Sequence, residues 1–280
     1  MYGLPKILKN VSDPPLRPII SMVGTVTHSL AQHLNAVIRP FIDDKFIVKS
    51  TDEFLAILQG ITLSPGQEVV SLDVASLFSN VPVEATIELI AERAYNHPTL
   101  PPPILNRDDL CYLLKICTKE TPFLFKGQNY LQRDGVSMGS PLGPTFADFY
   151  MANLENSLLS QNLISNPLKY LRYVDDTFCI FRSRSHVHHF IRRLKLNSVL
   201  DFTFENMVDS KFNFLDVKIT LRADGRFDTS VYIKPTDKGC YANFNSHTPL
   251  QYKRSVINCL VNHAIKYSSS WWHAILSCVA

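Results

Sequence analysis

Two adjacent carboxylates, Asp175 and Asp176, stand in the stretch Lys169-Tyr-Leu-Arg-Tyr-Val-Asp-Asp-Thr-Phe-Cys-Ile-Phe181, with apolar and aromatic residues on both sides. Leu171 and Tyr173 before the pair, and Phe178, Ile180 and Phe181 after it, have the composition of two strands. The aspartates therefore fall where a tight turn would expose them. Carboxylate oxygens at such a bend are the ligands that hard divalent cations take. A third carboxylate, Asp73, ends an apolar strand in Glu68-Val-Val-Ser-Leu-Asp-Val-Ala-Ser-Leu-Phe-Ser-Asn-Val-Pro82, where a turn and a helix follow. Phosphoryl-type transfer assisted by two metal ions needs carboxylates converging from different strands, and these three supply such a set.

Adjacent aspartates at a turn are also ordinary turn chemistry, and the chain holds two further pairs. Asp43-Asp44, inside Phe41-Ile-Asp-Asp-Lys-Phe-Ile-Val48, has the same apolar-acidic-apolar layout and reads as a surface turn. Asp108-Asp109 opens a helical stretch running to Cys117, where negative charge suits the positive end of the helix dipole. What sets Asp175-Asp176 apart is company: Asp73 upstream and, between them, the glycine-rich Gly135-Val-Ser-Met-Gly-Ser-Pro-Leu-Gly-Pro144 running into Thr145-Phe-Ala-Asp-Phe-Tyr-Met151.

The elements that must position these groups are legible from spacing. Helical periodicity covers Thr25–Ile38 and Thr51–Leu58, and Pro82 starts a third helix with Ile87, Leu89, Ile90 and Ala94 on one stripe. The proline-rich stretch 98–103 is a linker, and Phe123–Gln132 reads as a hairpin turning near Lys126-Gly127. Phe212–Val217, Lys218–Leu221 and Asp224-Gly225 read as a strand, a turn and a returning strand. Tyr252–Tyr267 reads as a helix with Val256, Leu260, Val261 and Ala264 inward and basic residues outward. His186, His188 and His189 form a cluster on a helix and are read as solvated, without a metal.

Composition is that of a globular chain: 280 residues, 46% hydrophobic, with 28 Lys and Arg against 25 Asp and Glu. A net charge of +3 is too small to argue for nucleic-acid binding by itself, which leaves local clusters such as Arg182, Arg184, Arg192, Arg193 and Lys195. The six cysteines have no Cys-x-x-Cys spacing and read as reduced thiols rather than a zinc site. The longest apolar runs fall well short of the roughly 20 residues a membrane-spanning helix needs.

The segment Ser71–Pro82 resembles motif A of reverse transcriptases, Gly135–Met151 resembles motif B and Tyr173-Val-Asp-Asp176 resembles motif C, in that family's order. A finer resemblance, to the reverse transcriptases of Penelope-like retroelements, runs through Tyr2-Gly-Leu-Pro-Lys6, Pro15-Leu-Arg-Pro-Ile-Ile-Ser21, Phe212-Asn-Phe-Leu-Asp-Val217 and Val231-Tyr-Ile-Lys-Pro-Thr236. Asn243–His247 and Lys253-Arg-Ser255 extend it, so that the resemblance covers nearly the whole chain. Each piece is weak alone and the combination is specific.

The resemblance implies an α+β fold, the right-hand polymerase: partial fingers over 1–67, a palm over 68–233 with a fingers insertion near 96–132, and the primer-grip end with a partial thumb over 234–280. Motif A then spans 71–82, motif B 135–151 and motif C 170–181. It implies template-directed addition of deoxynucleotides to a primer 3′-hydroxyl, with an RNA template, a DNA primer and deoxynucleoside triphosphates as partners and no membrane. Two Mg²⁺ ions, or Mn²⁺ in their place, are expected at Asp73, Val74, Asp175 and Asp176, with the three aspartates catalytic. Arg17 is expected on the triphosphate, Phe78 against the sugar 2′ position, and Met138, Gly139 and Ser140 around the nucleotide. Tyr173, Lys234, Lys238, Lys253 and Arg254 are expected against nucleic acid.

Plainer readings stand beside these: Phe78 as a core phenylalanine, Arg17 as a surface arginine, Met138 to Ser140 as a helix entry, Asp216 as a structural aspartate at a strand end. Leu8 stands where the family usually has histidine, and Ile233 where it usually has arginine. The resemblance also implies a chain that starts inside the fingers and stops within the thumb, with no GIY-YIG endonuclease following, and an intracellular, nuclear setting. Two other readings stay open: a catalytically inactive nucleic-acid-binding remnant of a retroelement, and a telomerase-like polymerase.

Overall fold

The computed structural model describes residues 2–5, 14, 16–235, 237, 239, 241 and 243–279, the side chains of 276–279 excepted. Lys6, Leu8 and Lys238 lie outside the described residues. The first half of the chain runs β1 (Tyr2–Pro5), β2 (Leu16–Ile19), α1 (His28–Ile38), α2 (Thr51–Gln59), β3 (Glu68–Val74), α3 (Leu77–Asn80), α4 (Val83–Tyr95), α5 (Arg107–Lys119), β4 (Pro122–Phe125) and β5 (Gln128–Leu131). There follow α6 (Gly143–Leu159), β6 (Lys169–Tyr173), β7 (Asp176–Phe181), α7 (Arg184–Leu196), β8 (Phe202–Asn206), β9 (Lys211–Phe214), β10 (Val217–Leu221), β11 (Phe227–Val231), α8 (Leu250–Tyr267) and α9 (Trp271–Val279). No helix among the described residues is long and apolar enough to cross a membrane.

One compact unit comprises Met1–Phe46, Val74–Leu163 and Ile191–Thr203. Its centre is α6, seventeen residues of which ten are buried, Phe146, Phe149 and Met151 among them. Pro82 caps α4 from outside the helix, with extended backbone, and accepts a 2.7 Å hydrogen bond from Thr86 Oγ1. The helix then buries Val83, Ile87, Ile90 and Ala94, one stripe at helical spacing. Asn106 caps α5 by accepting from the Asp109 amide at 2.8 Å, so Asp108 and Asp109 occupy the first turn, as their position before a helix suggests. β4 and β5 pair through a two-residue turn at Lys126 and Gly127, both at positive φ, the turn that right-twisted hairpins prefer.

Asp43 is more than a surface turn residue. Its carboxylate accepts from Asn156 Nδ2 at 2.8 Å and from the Lys45 amide, and pairs with Arg93 at 3.6 Å. Burial works against its ionisation, but those hydrogen bonds and the Arg93 charge prevail and hold its pKa below the ordinary value.

The second unit comprises Ile47–Asp73, Ile164–Phe190 and Phe204–Ala280. It holds a four-stranded sheet in the order β6-β7-β3-β8 and a three-stranded sheet in the order β11-β10-β9. Ser50 caps α2 by accepting from the Glu53 amide, while the Glu53 side chain reaches back to the Lys49 amide. α2 thus enters at a set angle and delivers Phe54, fully buried, edge-on to Phe178 with centroids 5.2 Å apart and 4.7 Å from Phe214. Leu58, Val69, Ile180, Phe212, Val217 and Ile219 complete this core.

Two expectations need correction in this unit. The strand expected across Phe212–Val217 is broken by a two-residue turn at Leu215-Asp216, with Leu215 at φ 54°, so three strands stand where two were expected. The apolar Leu215 side chain packs on the core, and that packing hides the turn from a reading by composition. On α8, Ala264 and Tyr267 are buried, but Leu260 and Val261 are each 40% exposed. Only part of the α8 surface meets the rest of its unit, so the expected inward stripe is shorter than its apolar spacing.

Candidate active site

The three aspartates come together in the second unit because the sheet register places them there. β7 pairs antiparallel with both β3 and β6, and Asp176 stands opposite Asp73 on one side and opposite Tyr173 on the other. Leu72 and Val74 are buried, so Asp73 projects from the opposite face of β3. Val74 itself is 1% exposed, leaving only its backbone to act as a ligand.

Between Tyr173 and Asp176 the chain turns in two residues, Val174 and Asp175. Val174 adopts φ 56° while Asp175 keeps a negative φ. A two-residue hairpin of that kind calls for glycine at its first position. A β-branched residue there costs about 1–3 kcal/mol and persists only where the surroundings impose it.

Burial first, then the neighbouring charges of Asp175 and Asp73, push the Asp176 carboxyl up to about 6. Lys234 pulls the other way and Glu205 adds to the rise. Lys234, expected against nucleic acid, therefore acts electrostatically on this carboxylate group. Glu205 was not foreseen: it lies on β8, and only the sheet order, which sets β8 beside β3, brings it into range. No motif surrounds it in the sequence. Arg172 was likewise unremarked; it is fully buried, and its Nη1 donates to the Val174 carbonyl at 3.0 Å.

Carboxylate oxygens from two strands and a bend are the donors that Mg²⁺ or Mn²⁺ takes, and burial together with the charges of Asp175 and Asp73 raises the Asp176 pKa. Among the described residues no group of three His, Cys, Asp or Glu side chains is arranged to hold a metal ion. The donor chemistry fits a divalent cation, then, while the side chains as placed do not form a closed cage.

The first unit holds the residues expected around the nucleotide, Arg17, Phe78, Met138, Gly139 and Ser140. Ser76, at φ 54°, begins a short turn that carries Phe78, half-buried on α3. The glycine-rich loop clasps it: Val136 N donates to the Phe78 carbonyl at 2.7 Å, and a Cβ on Gly143 would stand 3.7 Å from the Phe78 ring. Gly135 sits at φ 67°, where a Cβ would lie 2.4 Å from the Ser79 carbonyl carbon and oxygen, so no other residue fits.

On the far side of that loop, Ile20 N donates to the Met138 carbonyl at 3.0 Å, and Gly139, at φ 119°, would carry a Cβ 2.5 Å from the Ile20 carbonyl. Ser140 is buried and accepts from the Leu142 amide, starting α6. The strand before Ile20 is β2, whose exposed Arg17 stands opposite Leu4. Met138, Gly139 and Arg17 thus belong to one backbone-tied group.

Tyr173 is exposed at the rim of the β6–β7 turn, and Arg254 is exposed on α8. Lys253 donates to the carbonyls of Phe244 and Ser246 and lies over the Phe244 ring, so its charge holds the segment leading into α8.

Residues 14–226 match the family described as reverse transcriptase (RNA-dependent DNA polymerase), and residues 240–275 match the animal helix-turn-helix domain. The second match falls on α8 and α9 and the turn between them. The telomerase reverse transcriptase of Oryza sativa subsp. japonica is 31% identical over 144 residues, 47% of this chain and 10% of that protein. Among solved structures, the telomerase of Candida albicans in complex with a TWJ fragment of telomeric RNA superposes with a TM-score of 0.56 at 11% identity, over 86% of this chain and 42% of the other. The Sicinivirus 3Dpol RNA-dependent RNA polymerase does so with a TM-score of 0.50 at 14% identity, over 81% and 48%. The chain spans a tenth of the curated relative and under half of each solved chain. The mixed helix and strand architecture is that of polymerase palms, as expected.

Proposed function

Because the chain belongs to the reverse transcriptase (RNA-dependent DNA polymerase) family, we propose that it adds deoxynucleotides to the 3′-hydroxyl of a primer on an RNA template. The observation that carries this reading is the register of β3, β7 and the β6–β7 turn, which sets Asp73 opposite Asp176 with Asp175 in the adjoining turn. Carboxylate oxygens from a strand and an adjoining bend have the chemistry that a hard divalent cation takes. Asp73, Asp175, Asp176 and the Val74 carbonyl would hold two Mg²⁺ ions, or Mn²⁺. When bound, the ions supply an activated primer hydroxyl and a neutralised triphosphate.

The chain's own residues do the rest of the work in this proposal. The Val174 bend presents Asp175 and Asp176 together. Phe78, clasped by the Gly135–Gly143 loop, offers a fixed ring against the sugar. Arg17 offers a guanidinium fork suited to phosphate oxygens, on a strand whose end is tied to Met138. Tyr173 and Arg254 are exposed and would meet the template and primer strands, where phosphate contacts position without specifying sequence.

The Penelope-like stretches from Tyr2 to Ser255 support a retroelement as the source of this polymerase. A telomerase-like polymerase is the second reading, favoured by the 31% identity to a telomerase reverse transcriptase. The test of the common core is Mg²⁺-dependent extension of a DNA primer on an RNA template by the parent chain and by Asp175→Asn. Extension by the parent alone is expected. Equal extension by both would remove the assigned chemistry, and salt-sensitive template binding without extension by either would favour the inactive remnant.

A further inference from the structure

Arg172 is the largest side chain that is wholly withdrawn from solvent among the described residues. It sits in β6 opposite the buried Thr177 of β7, and its backbone carbonyl accepts from the Val48 amide at 2.8 Å. Its position in the sheet is therefore held from two sides. From there its Nη1 reaches forward and donates to the Val174 carbonyl. A hydrogen bond from a buried cation is among the stronger ones a peptide carbonyl can receive.

The receiving residue is the one whose conformation most needs explaining. Val174 stands at φ 56° in the first position of a two-residue turn, where glycine is the natural occupant. The β9–β10 turn makes an informative comparison, since Leu215 occupies the same position at φ 54°. Leu215 is anchored through its side chain, which packs against the core. Val174 does not belong to that core cluster, and its carbonyl receives the Arg172 guanidinium. Two similar bends are thus held by different means, one by packing and one by a buried charge.

We propose that Arg172 is a positioning residue: by gripping the Val174 carbonyl it holds the left-handed bend and so sets the direction in which Asp175 and Asp176 present their carboxylates. Its consequence for catalysis rests on the polymerase reading above, whereas its effect on the bend does not. Arg172→Met fills similar space but cannot donate to the carbonyl. Val174→Gly removes the conformational cost that makes the grip necessary.

Hydrogen–deuterium exchange on the metal-free protein reads the bend directly. Arg172→Met is expected to speed exchange of the Val174, Asp175 and Asp176 amides by about ten- to a hundredfold, while the amides around Leu215 stay as in the parent. Calorimetric titration with Mn²⁺ is expected to show affinity weakened by about ten- to a hundredfold, as loss of a ligand-orienting partner does. In the Val174→Gly background the same substitution is expected to cost less, since the two changes act on one bend. Arg172→Lys, which keeps a buried cation but loses the planar fork, gives the same comparison should the Met variant not fold.

Unchanged exchange at the bend in a folded Arg172 variant overturns the proposal, as do losses in the double variant that simply add. A parent that neither binds Mn²⁺ nor extends a primer overturns the polymerase reading, and exchange alone then decides the role of Arg172.

Discussion

Replacing Asp176 with asparagine removes a carboxyl whose ionisation the fold opposes, and this makes metal-free stability a sensitive report on the site. A rise from 3.8 to about 6 is about two pH units. At about 1.4 kcal/mol per unit the folded state would carry about 3 kcal/mol against it once Asp176 is charged. The group is only partly buried, and solvent screening brings this to about 1–2 kcal/mol. The folded pKa lies above the unfolded one, so protonation favours the folded state. That stabilisation is full below about 3.8 and is lost as pH rises through about 6. Burial, Asp175, Asp73 and Glu205 raise the value and Lys234 offsets part of the rise.

Urea unfolding in EDTA at pH 4.5, 6 and 7.5 measures the effect. Asp176→Asn is expected to differ little from the parent at pH 4.5 and to be about 1–2 kcal/mol more stable at pH 7.5. Added Mg²⁺ at pH 7.5 is expected to stabilise the parent more than the variant, because a bound cation relieves the same repulsion. A variant less stable than its parent at pH 7.5, or a difference that does not vary with pH, would refute the reasoning that burial and neighbouring charge oppose the ionisation of Asp176.

Gly135→Ala places a Cβ against the immovable Ser79 backbone at positive φ; a fall in stability of about 1–3 kcal/mol by thermal unfolding is expected, with Phe78 displaced and discrimination against ribonucleotides weakened in primer extension. Phe54→Ala empties a ring site shared with Phe178 and Phe214, and chemical denaturation should show a loss of about 3–5 kcal/mol. Leu260→Gln on the exposed face of α8 should leave stability within about 0.5 kcal/mol, whereas Ala264→Gln, at a fully buried position, should lower the unfolding midpoint clearly. Equal effects at 260 and 264 would mean that α8 has another packed face.

What the chain order could disclose followed from local chemistry. The aspartate bend, the Asn106-capped start of α5 and the Lys126-Gly127 hairpin each depend on residues close in sequence, and each lies where its residues indicate. Glu205 and Arg172 were not legible, because the first joins the group through the lateral order of strands and the second through depth of burial. The Leu215-Asp216 turn was missed for a different reason: a leucine at positive φ contradicts turn propensity, and core packing overrides it. Leu260 and Val261 show the converse, apolar spacing that exceeds the surface available to cover it.

The antiparallel register that sets Asp73 opposite Asp176 also bears on which changes of length the chain tolerates. Side chains alternate along β3, so an in-frame loss of one codon between Val69 and Leu72 would turn Asp73 toward the other face or break its pairing with β7. The same loss within residues 98–104, in the proline-rich loop between α4 and α5, would move no strand. Length variation among related sequences should therefore be sparse in β3 and frequent in that loop, and a chain shortened inside β3 should lose the pairing of Asp73 with Asp176 even with all three aspartates intact.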